Sequence, residues 1–475
     1  MNNSCSLPFR PLSRRGFLSW VGGGLGGAAA LTLLGTGKAE SLVPAFRPRA
    51  KRAIHICLCG GLSQVDSFDY KPELMKRHGQ AMPTTERLDP FFGKVGPLRA
   101  PDWSFQHRGK SGLWISELFP NIAGIADELC VIRSMVAESS NHTPATFQEN
   151  SGFRFNGFPT MGSWISYGLG SENDNLPAFV VLPDARGLPA GTTANWANGF
   201  LPARHQGVAL QPRGAPVRDL IPAREVSAEH ERDSLRLLAK LNASHLAATG
   251  ADDVLEARLR SYELAARMQL AVPEVTDMQS ESDATRDDYG LNADDTRDFG
   301  RNCLLARRLL ERGVRFVQLF SGGAFGNPRI NWDGHENVKE NHTAEALRID
   351  RPVTALLKDL RRRGLLEDTL VLFTSEFGRT PYAQSESGKA GPGRDHHPHG
   401  FSVWMAGAGL KRGFAYGATD DFGHTAIEDP VTWPDFHATV LHLLGLDHTA
   451  LTHYHNGINR RLTNVSGEVV QGILT

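Results

Sequence analysis

Cysteine is scarce in this chain, with 5 in 475 residues, and so few at irregular spacing build no disulfide framework. Cys5 lies in the extreme amino-terminal segment. Cys57 and Cys59 alternate with Ile56 and Leu58 in one apolar run, so both face the same side of a strand as small core residues. Cys130 and Cys303 could pair, but nothing in the sequence requires it. Net charge is also missing: the formal value is -1, which gives no basic field for nucleic acid and no acidic tail for a polycation. A small or neutral substrate, or another protein, remains. No internal repeat of useful period is present. Nor is there a comfortable membrane span, because the most apolar stretch, Val21 to Gly35, is short and glycine-rich.

That stretch has a meaning of its own. Ser13-Arg14-Arg15-Gly16-Phe17-Leu18 precedes it, and Gly37-Lys38-Ala39 after it offers a small-x-small cleavage site. Paired arginines, Phe-Leu and a weakly hydrophobic run together read as a twin-arginine signal over residues 1–39, with a plain membrane anchor as the competing reading. Residues 40–52 are then a linker, and the mature chain is periplasmic or otherwise exported, with no stable membrane span. The twin-arginine translocase is the partner expected during export.

In the mature chain, apolar runs rich in β-formers alternate with helix-periodic segments, which predicts an α/β fold with a mostly parallel sheet. Strands are expected at Ala53–Cys59, Cys130–Met135, Ala178–Leu182, Val314–Phe320, Leu370–Ser375 and Phe401–Ala406. Helical spacing marks Ile115–Leu129, Thr160–Leu169, Asp294–Glu311, Arg348–Arg363 and Trp433–Leu444, where Asp435 and His437 read as cap and surface groups. Residues 72–112, rich in Pro and Gly, read as an irregular surface excursion. Two amphipathic helices over Ser227–Met268, followed by Asp294–Glu311, interrupt the strand–helix rhythm, so a helical insertion is expected at about residues 225–312.

Chemistry-bearing residues gather where predicted strands end, the edge at which open α/β sheets bind ligands. Glu376 ends one strand. Arg394, Asp395, His396, His397 and His399 follow a Gly-, Ser- and Pro-rich stretch read as a loop able to fold back beside Glu376. Asp333 and His335 leave another strand end. Carboxylate plus imidazole is a ligand mix for zinc, manganese or iron, against which stands the plain reading of a solvated His-rich loop. Gly60-Gly61 turns the chain tightly and presents Ser63 and Asp66, although turn chemistry alone would place Ser and Asp there. Asn141-His142-Thr143-Pro144 sits between a strand and a helix. It either presents a hydroxyl or imidazole at a helix amino terminus, where N–H groups favour an anion, or is an N-cap Thr ahead of a first-turn proline.

The segments Gly60 to Asp69, Trp332 to His335, Ser375 to Pro381 and Gly393 to Pro398 resemble those of the domain of unknown function 1501 family, twin-arginine-exported relatives of the alkaline phosphatase and sulfatase superfamily. The resemblance implies an alkaline-phosphatase-like fold over residues 53–475, with a mostly parallel sheet and helices on both faces. It also implies a divalent metal, zinc, manganese or calcium, on Asp333, His335, Glu376 and His396. His142 and Thr143 fall on the loop that bears the superfamily's nucleophile. Arg379 and Arg394 could pair with a substrate anion, and Ser63 could contact substrate. Two departures among the metal ligands stand out: Phe377 replaces a histidine, and Gly60-Gly61 stands near where catalytic relatives carry a metal-binding aspartate; in the nucleophile's slot there is neither Cys nor Ser, which leaves Thr143 or His142.

The expected activity is one-metal hydrolysis of a small-molecule or glycan phosphate or sulfate ester. Its alternatives are a binding or structural protein on a degenerate version of the fold and, more distantly, a redox or oxygenase role using His/carboxylate iron.

Overall fold

The computed structural model describes residues 45–475 apart from 86, most of 214–271, 325, 327–328 and 386–390. The twin-arginine signal expected over residues 1–39 and most of the two helices expected over Ser227–Met268 therefore fall outside the described residues.

Strand β1, Arg52–Leu58, is the run in which Cys57 alternates with Ile56 and Leu58. Its period of two divides the core. Ile54, Ile56 and Leu58 face one apolar cluster, while Ala53 and Cys57 face the other. A residue buried on both sides of the strand is what a central parallel strand requires.

Besides three two-stranded hairpins among the described residues, the remaining strands of the large sheet and those of the small sheet beside the site are, in chain order, β2 (Lys94–Leu98), β3 (Leu129–Val136), β4 (Phe179–Leu182), β5 (Val208–Ala209), β6 (Phe316–Ser321), β7 (Thr369–Ser375), β8 (Gly378–Ser385), β9 (Arg394–His397), β10 (Phe401–Gly407), β11 (Phe414–Tyr416) and β12 (Val431–Thr432). The large sheet runs β11-β3-β10-β7-β1-β6-β4-β5, with β12 beside β3. In it β10 runs antiparallel to both its neighbours, and the other pairs are parallel. Helices cover both faces. Residues of α3 (Asp294–Glu311) and α4 (Val338–Arg362) join the cluster on the Ile54 side, and those of α2 (Met161–Leu169) and α5 (Trp433–Leu443) join the other. The fold is α/β with a mostly parallel central sheet. No helix among the described residues is long and apolar enough to cross a membrane.

Several expectations need correction. The region Ile115–Leu129 is not one helix: Leu113–Ser116 is a strand paired with Phe105–Arg108, and short turns of helix follow at Pro120–Ala123 and Ala126–Glu128. The supposed excursion at 72–112 contributes that hairpin and β2. The stretch between Glu376 and Arg394 is not simply a loop, because β8 pairs with both β9 and β2 in a small antiparallel sheet. The helix expected at Arg348–Arg363 starts earlier, at Val338, and runs through Pro352. His437 is fully buried rather than a surface group, whereas Asp435 does complete a capping box with Thr432. The cysteines at 57, 59, 130 and 303 are all free.

Candidate metal centre

The candidate residues reach one place because four strand ends open on the same edge. Gly60 follows β1, Asp333 follows β6, Glu376 follows β7 directly, and His142 begins α1 (His142–Ser151) after β3. His396 arrives on β9, hydrogen-bonded beside β8 at Arg379. This is the carboxyl edge of the parallel strands, where connecting loops converge.

Asp333 is the centre, 3% exposed. Its Oδ1 lies 2.9 Å from His335 Nε2 and 3.1 Å from His396 Nε2, and those two ring nitrogens are 2.8 Å apart. His142 Nε2 is 3.4 Å from the other oxygen, Oδ2. His142, Asp333, His335 and His396 form a group whose donor atoms all fall within 4.8 Å of one another.

What each imidazole does with its far nitrogen decides how it presents the near one. His142 Nδ1 lies 2.7 Å from Glu376 Oε1, His396 Nδ1 lies 2.6 Å from the Ser140 carbonyl oxygen, and His335 Nδ1 contacts Gln384 Oε1. All three partners accept, so each Nδ1 donates and the neutral ring turns the Nε2 lone pair inward. Three lone pairs and a carboxylate then face one another, and the 2.8 Å approach of His335 to His396 is repulsive unless a proton or a cation lies there. Outer acceptors that orient ring nitrogens in this way accompany metal-bound histidines.

Charge is distributed accordingly. Burial alone would raise the Asp333 carboxyl, but the Arg379 guanidinium and hydrogen bonds with His142, His335 and His396 hold it well below the usual carboxylate range. Burial opposes charge on His142 too, yet its bonds to Asp333 and Glu376 push it up to about 9. His396 goes the other way, driven well below the usual histidine value mainly by burial. Without an ion, a proton on His142 supplies local positive charge.

The structure brings Asp333, His335 and His396 together and puts His142 where Glu376 had been expected to bind. Glu376 stands behind: its Oε1 also accepts from the Gly60 N–H at 3.0 Å, and its Oε2 is buried with no partner. Thr143 is the second residue of α1, half-buried, and no described residue hydrogen-bonds its hydroxyl. The cap position belongs to Asn141, so the reading of Thr143 as N-cap does not hold.

Three residues expected to meet substrate are committed elsewhere. Arg379 is wholly buried and donates to the carbonyls of Gly60, Gly61, Trp332 and Arg394 as well as to Asp333 at 2.6 Å. Arg394, equally buried, pairs with Asp66 at 2.7 Å and donates to the carbonyls of Arg99, Ala100, Thr380 and Pro381. Ser63 donates to Asp66 at 2.5 Å, and its N–H reaches His342 Nε2 at 3.0 Å. With every guanidinium nitrogen and the Ser63 hydroxyl bonded inside the fold, these buried side chains fix the loops after β1 and β8 rather than facing an anion.

Sequence reasoning missed Phe91 and Phe92. They are 38% and 49% exposed, and Phe91 stacks on His396 at 4.8 Å between ring centres. Phe92 meets His335 edge-on at 5.1 Å, and its N–H is anchored on Asp395 at 2.8 Å. Two adjacent aromatics in a polar, Pro/Gly-rich stretch were the available signal. Phe377, completely buried, packs 4.5 Å from His396 and 5.3 Å from His142. The two sequence departures are one feature, because a Cβ on Gly61 would sit 2.6 Å from the Phe377 ring.

An α/β protein whose candidate site lies beyond the carboxyl ends of a mostly parallel sheet is the class that fold and geometry define. The chain belongs to the family described as protein of unknown function (DUF1501), whose model matches residues 50–474. No curated protein matches it in sequence. Among solved structures, it is similar to the lipoteichoic acid synthase LtaP from Listeria monocytogenes at 11% identity and TM-score 0.35, covering 85% of this chain and 74% of that one. The sulfatase PsFucS1 from Pseudoalteromonas sp. matches at 13% identity and TM-score 0.34, with 88% and 72% covered. Alkaline phosphatase from the Antarctic bacterium TAB5 matches at 10% and 0.33, with 78% and 94% covered. Likeness at this level decides nothing about this chain's activity.

Proposed function

We propose that this protein is an exported, metal-dependent hydrolase of phosphate or sulfate esters that uses one divalent ion held by His142, Asp333, His335 and His396. The observation that carries the reading is the convergence of three imidazole Nε2 lone pairs on one carboxylate, each ring fixed from behind by an acceptor. A tetrahedral ion with bonds of about 2.0–2.1 Å separates its ligand atoms by about 3.3 Å. The spacings of 2.8 to 3.1 Å among Asp333, His335 and His396 would have to open by a few tenths of an ångström, and His142, 3.4 Å from Asp333 and within 4.8 Å of the other two, completes the set.

Three nitrogen donors fit zinc, manganese or iron and do not fit calcium, which takes oxygen. Such an ion supplies a Lewis acid for a phosphoryl or sulfuryl oxygen. From the chain itself, Glu376 would orient His142, and Arg379 would hold Asp333. Thr143, in the first turn of α1 with a free hydroxyl, is the nucleophile candidate. The unpaired N–H groups of that turn favour an anionic substrate. Small-molecule or glycan esters and passage through the twin-arginine translocase into the periplasm complete the reading, and the net charge of -1 gives no support to nucleic acid.

A second reading, metal binding without catalysis, is favoured by Phe377, whose ring fills the space beside His142 and His396 with carbon. The test is turnover of aryl phosphate and aryl sulfate by metal-replete protein purified after native export. Turnover that falls by orders of magnitude in Thr143→Ala at unchanged stability, and survives in Thr143→Ser, is the expected result. No turnover by the wild type would hand the case to the second reading.

A further inference from the structure

We propose that Arg329 is the anion-binding residue of the candidate centre, and that the Glu336 carboxylate stands in for the phosphate or sulfate group of a substrate. The inference rests on the reading of this site as a metal-dependent hydrolase. It names a residue that the site otherwise lacks, since Arg379 and Arg394 are both wholly buried as clamps.

Arg329 lies in the segment that follows β6 and leads into Trp332 and Asp333. Its Nη1 donates to Asp333 Oδ2, the oxygen that His142 Nε2 approaches at 3.4 Å. The other oxygen, Oδ1, is taken by His335, His396 and Arg379. Arg329 and the start of α1 therefore meet at one carboxylate oxygen, and Thr143, the nucleophile candidate, follows His142 in that helix. Exposure separates this arginine from the other two, because its side chain is 36% exposed. A guanidinium that touches the carboxylate of the centre and still faces water is one that a dissolved anion can reach.

What occupies the rest of the guanidinium shows what it can hold. Nε and Nη2 donate to the two oxygens of Glu336 at 2.7 and 2.8 Å, the forked geometry in which arginine takes a pair of anionic oxygens. A phosphoryl or sulfuryl group offers the same pair. Glu336 is a weak occupant, since its side chain is 69% exposed and an ion pair so open to water holds its partners only loosely. An ion on Asp333 would set a second cation near Arg329, and like charges so close favour an anion that reaches both. Glu336 can then swing into solvent while Nη1 keeps the guanidinium beside Asp333.

The test is binding of inorganic phosphate and of sulfate, measured by titration calorimetry on protein isolated after native export, with metal counted in the same samples. Glu336→Gln removes the competing charge and should bind the anion several-fold more tightly than the wild type. Arg329→Gln should keep its ion and bind about 10-fold more weakly or worse, the loss expected for a hydrogen-bonded charge. Arg329→Lys should fall between, keeping the charge and losing the fork. The two anions compared show which ester the fork suits. Equal affinity in the wild type and Arg329→Gln overturns the proposal, as does binding no tighter in Glu336→Gln. Loss of the ion in Arg329→Gln also overturns it, by making the residue a support for Asp333. A wild type that carries its ion and binds neither anion sinks this inference while the metal centre stands, whereas a wild type without an ion removes the reading beneath it and the inference too.

Discussion

Replacing Asp333 by Asn removes the one charge on which the candidate centre is built while leaving its shape almost intact. Arg379 is fully buried, and its other hydrogen bonds end on carbonyl oxygens; among the described residues Asp333 is the one carboxylate paired with it. Breaking a buried pair by neutralising one partner costs about 3–5 kcal/mol, because the remaining charge stays out of water. The asparagine oxygen can still accept from Arg379 across the present 2.6 Å, so the lower end applies, about 3 kcal/mol. Loss of the same carboxylate also takes a partner from protonated His142 in the metal-free protein. The assay is urea unfolding of chelator-treated protein followed by tryptophan fluorescence and far-ultraviolet dichroism, whose transitions must coincide for the free energy to have meaning. Thr143→Ala serves as the control, since a half-exposed hydroxyl without a partner should change stability by less than about 0.5 kcal/mol. An Asp333→Asn protein as stable as that control would refute the account of Arg379 as a cation held in place by Asp333.

Gly61→Ala should destabilise by about 2 kcal/mol or more, since φ is +87° and the new Cβ meets Phe377. In a Phe377→Ala background the steric part of that loss should disappear and the backbone part remain, which thermal melts of the four proteins in the cycle would check. Changing Arg14 and Arg15 to Lys should leave the protein in the cytoplasm; unchanged export on cell fractionation would remove the twin-arginine reading. Glu376→Gln should weaken metal binding by about 10–100-fold, as loss of an outer partner of a ligating histidine does, and unaltered affinity in a competition titration would separate Glu376 from the centre.

The strands were legible because their composition is extreme. Residues such as Ile54, Ile56, Leu370 and Leu372 are buried on one face or the other, so no polar alternation disguised them. The helix Asp294–Glu311 matched its expected bounds because its apolar face repeats without interruption. Sequence failed at 115–129, where apolar residues at near-helical spacing are buried by a hairpin and two short turns. It failed again at β8, where tertiary pairing with β2 and β9 overrides loop-like composition. In the site, spacing on strand ends brought Asp333, His335 and His396 into one frame. The roles of His142 and Glu376 could not be separated, because which of two neighbours reaches the centre depends on a 2.7 Å bond between residues far apart in sequence. Arginines read as substrate ligands proved to be internal clamps, since a sequence does not reveal that four carbonyls await each guanidinium.

The claim that a divalent ion sits among His142, Asp333, His335 and His396 is tested most directly by counting metal in two histidine variants. His396 lies in the cluster, whereas His399, three residues on, is outside it, and its carbonyl accepts from Ala426 at 2.8 Å. Elemental analysis of folded protein after native export should show His399→Ala with the wild-type content and His396→Ala lower by one equivalent. Equal metal in the two variants would contradict the claim and leave the cluster as a buried ion-pair network.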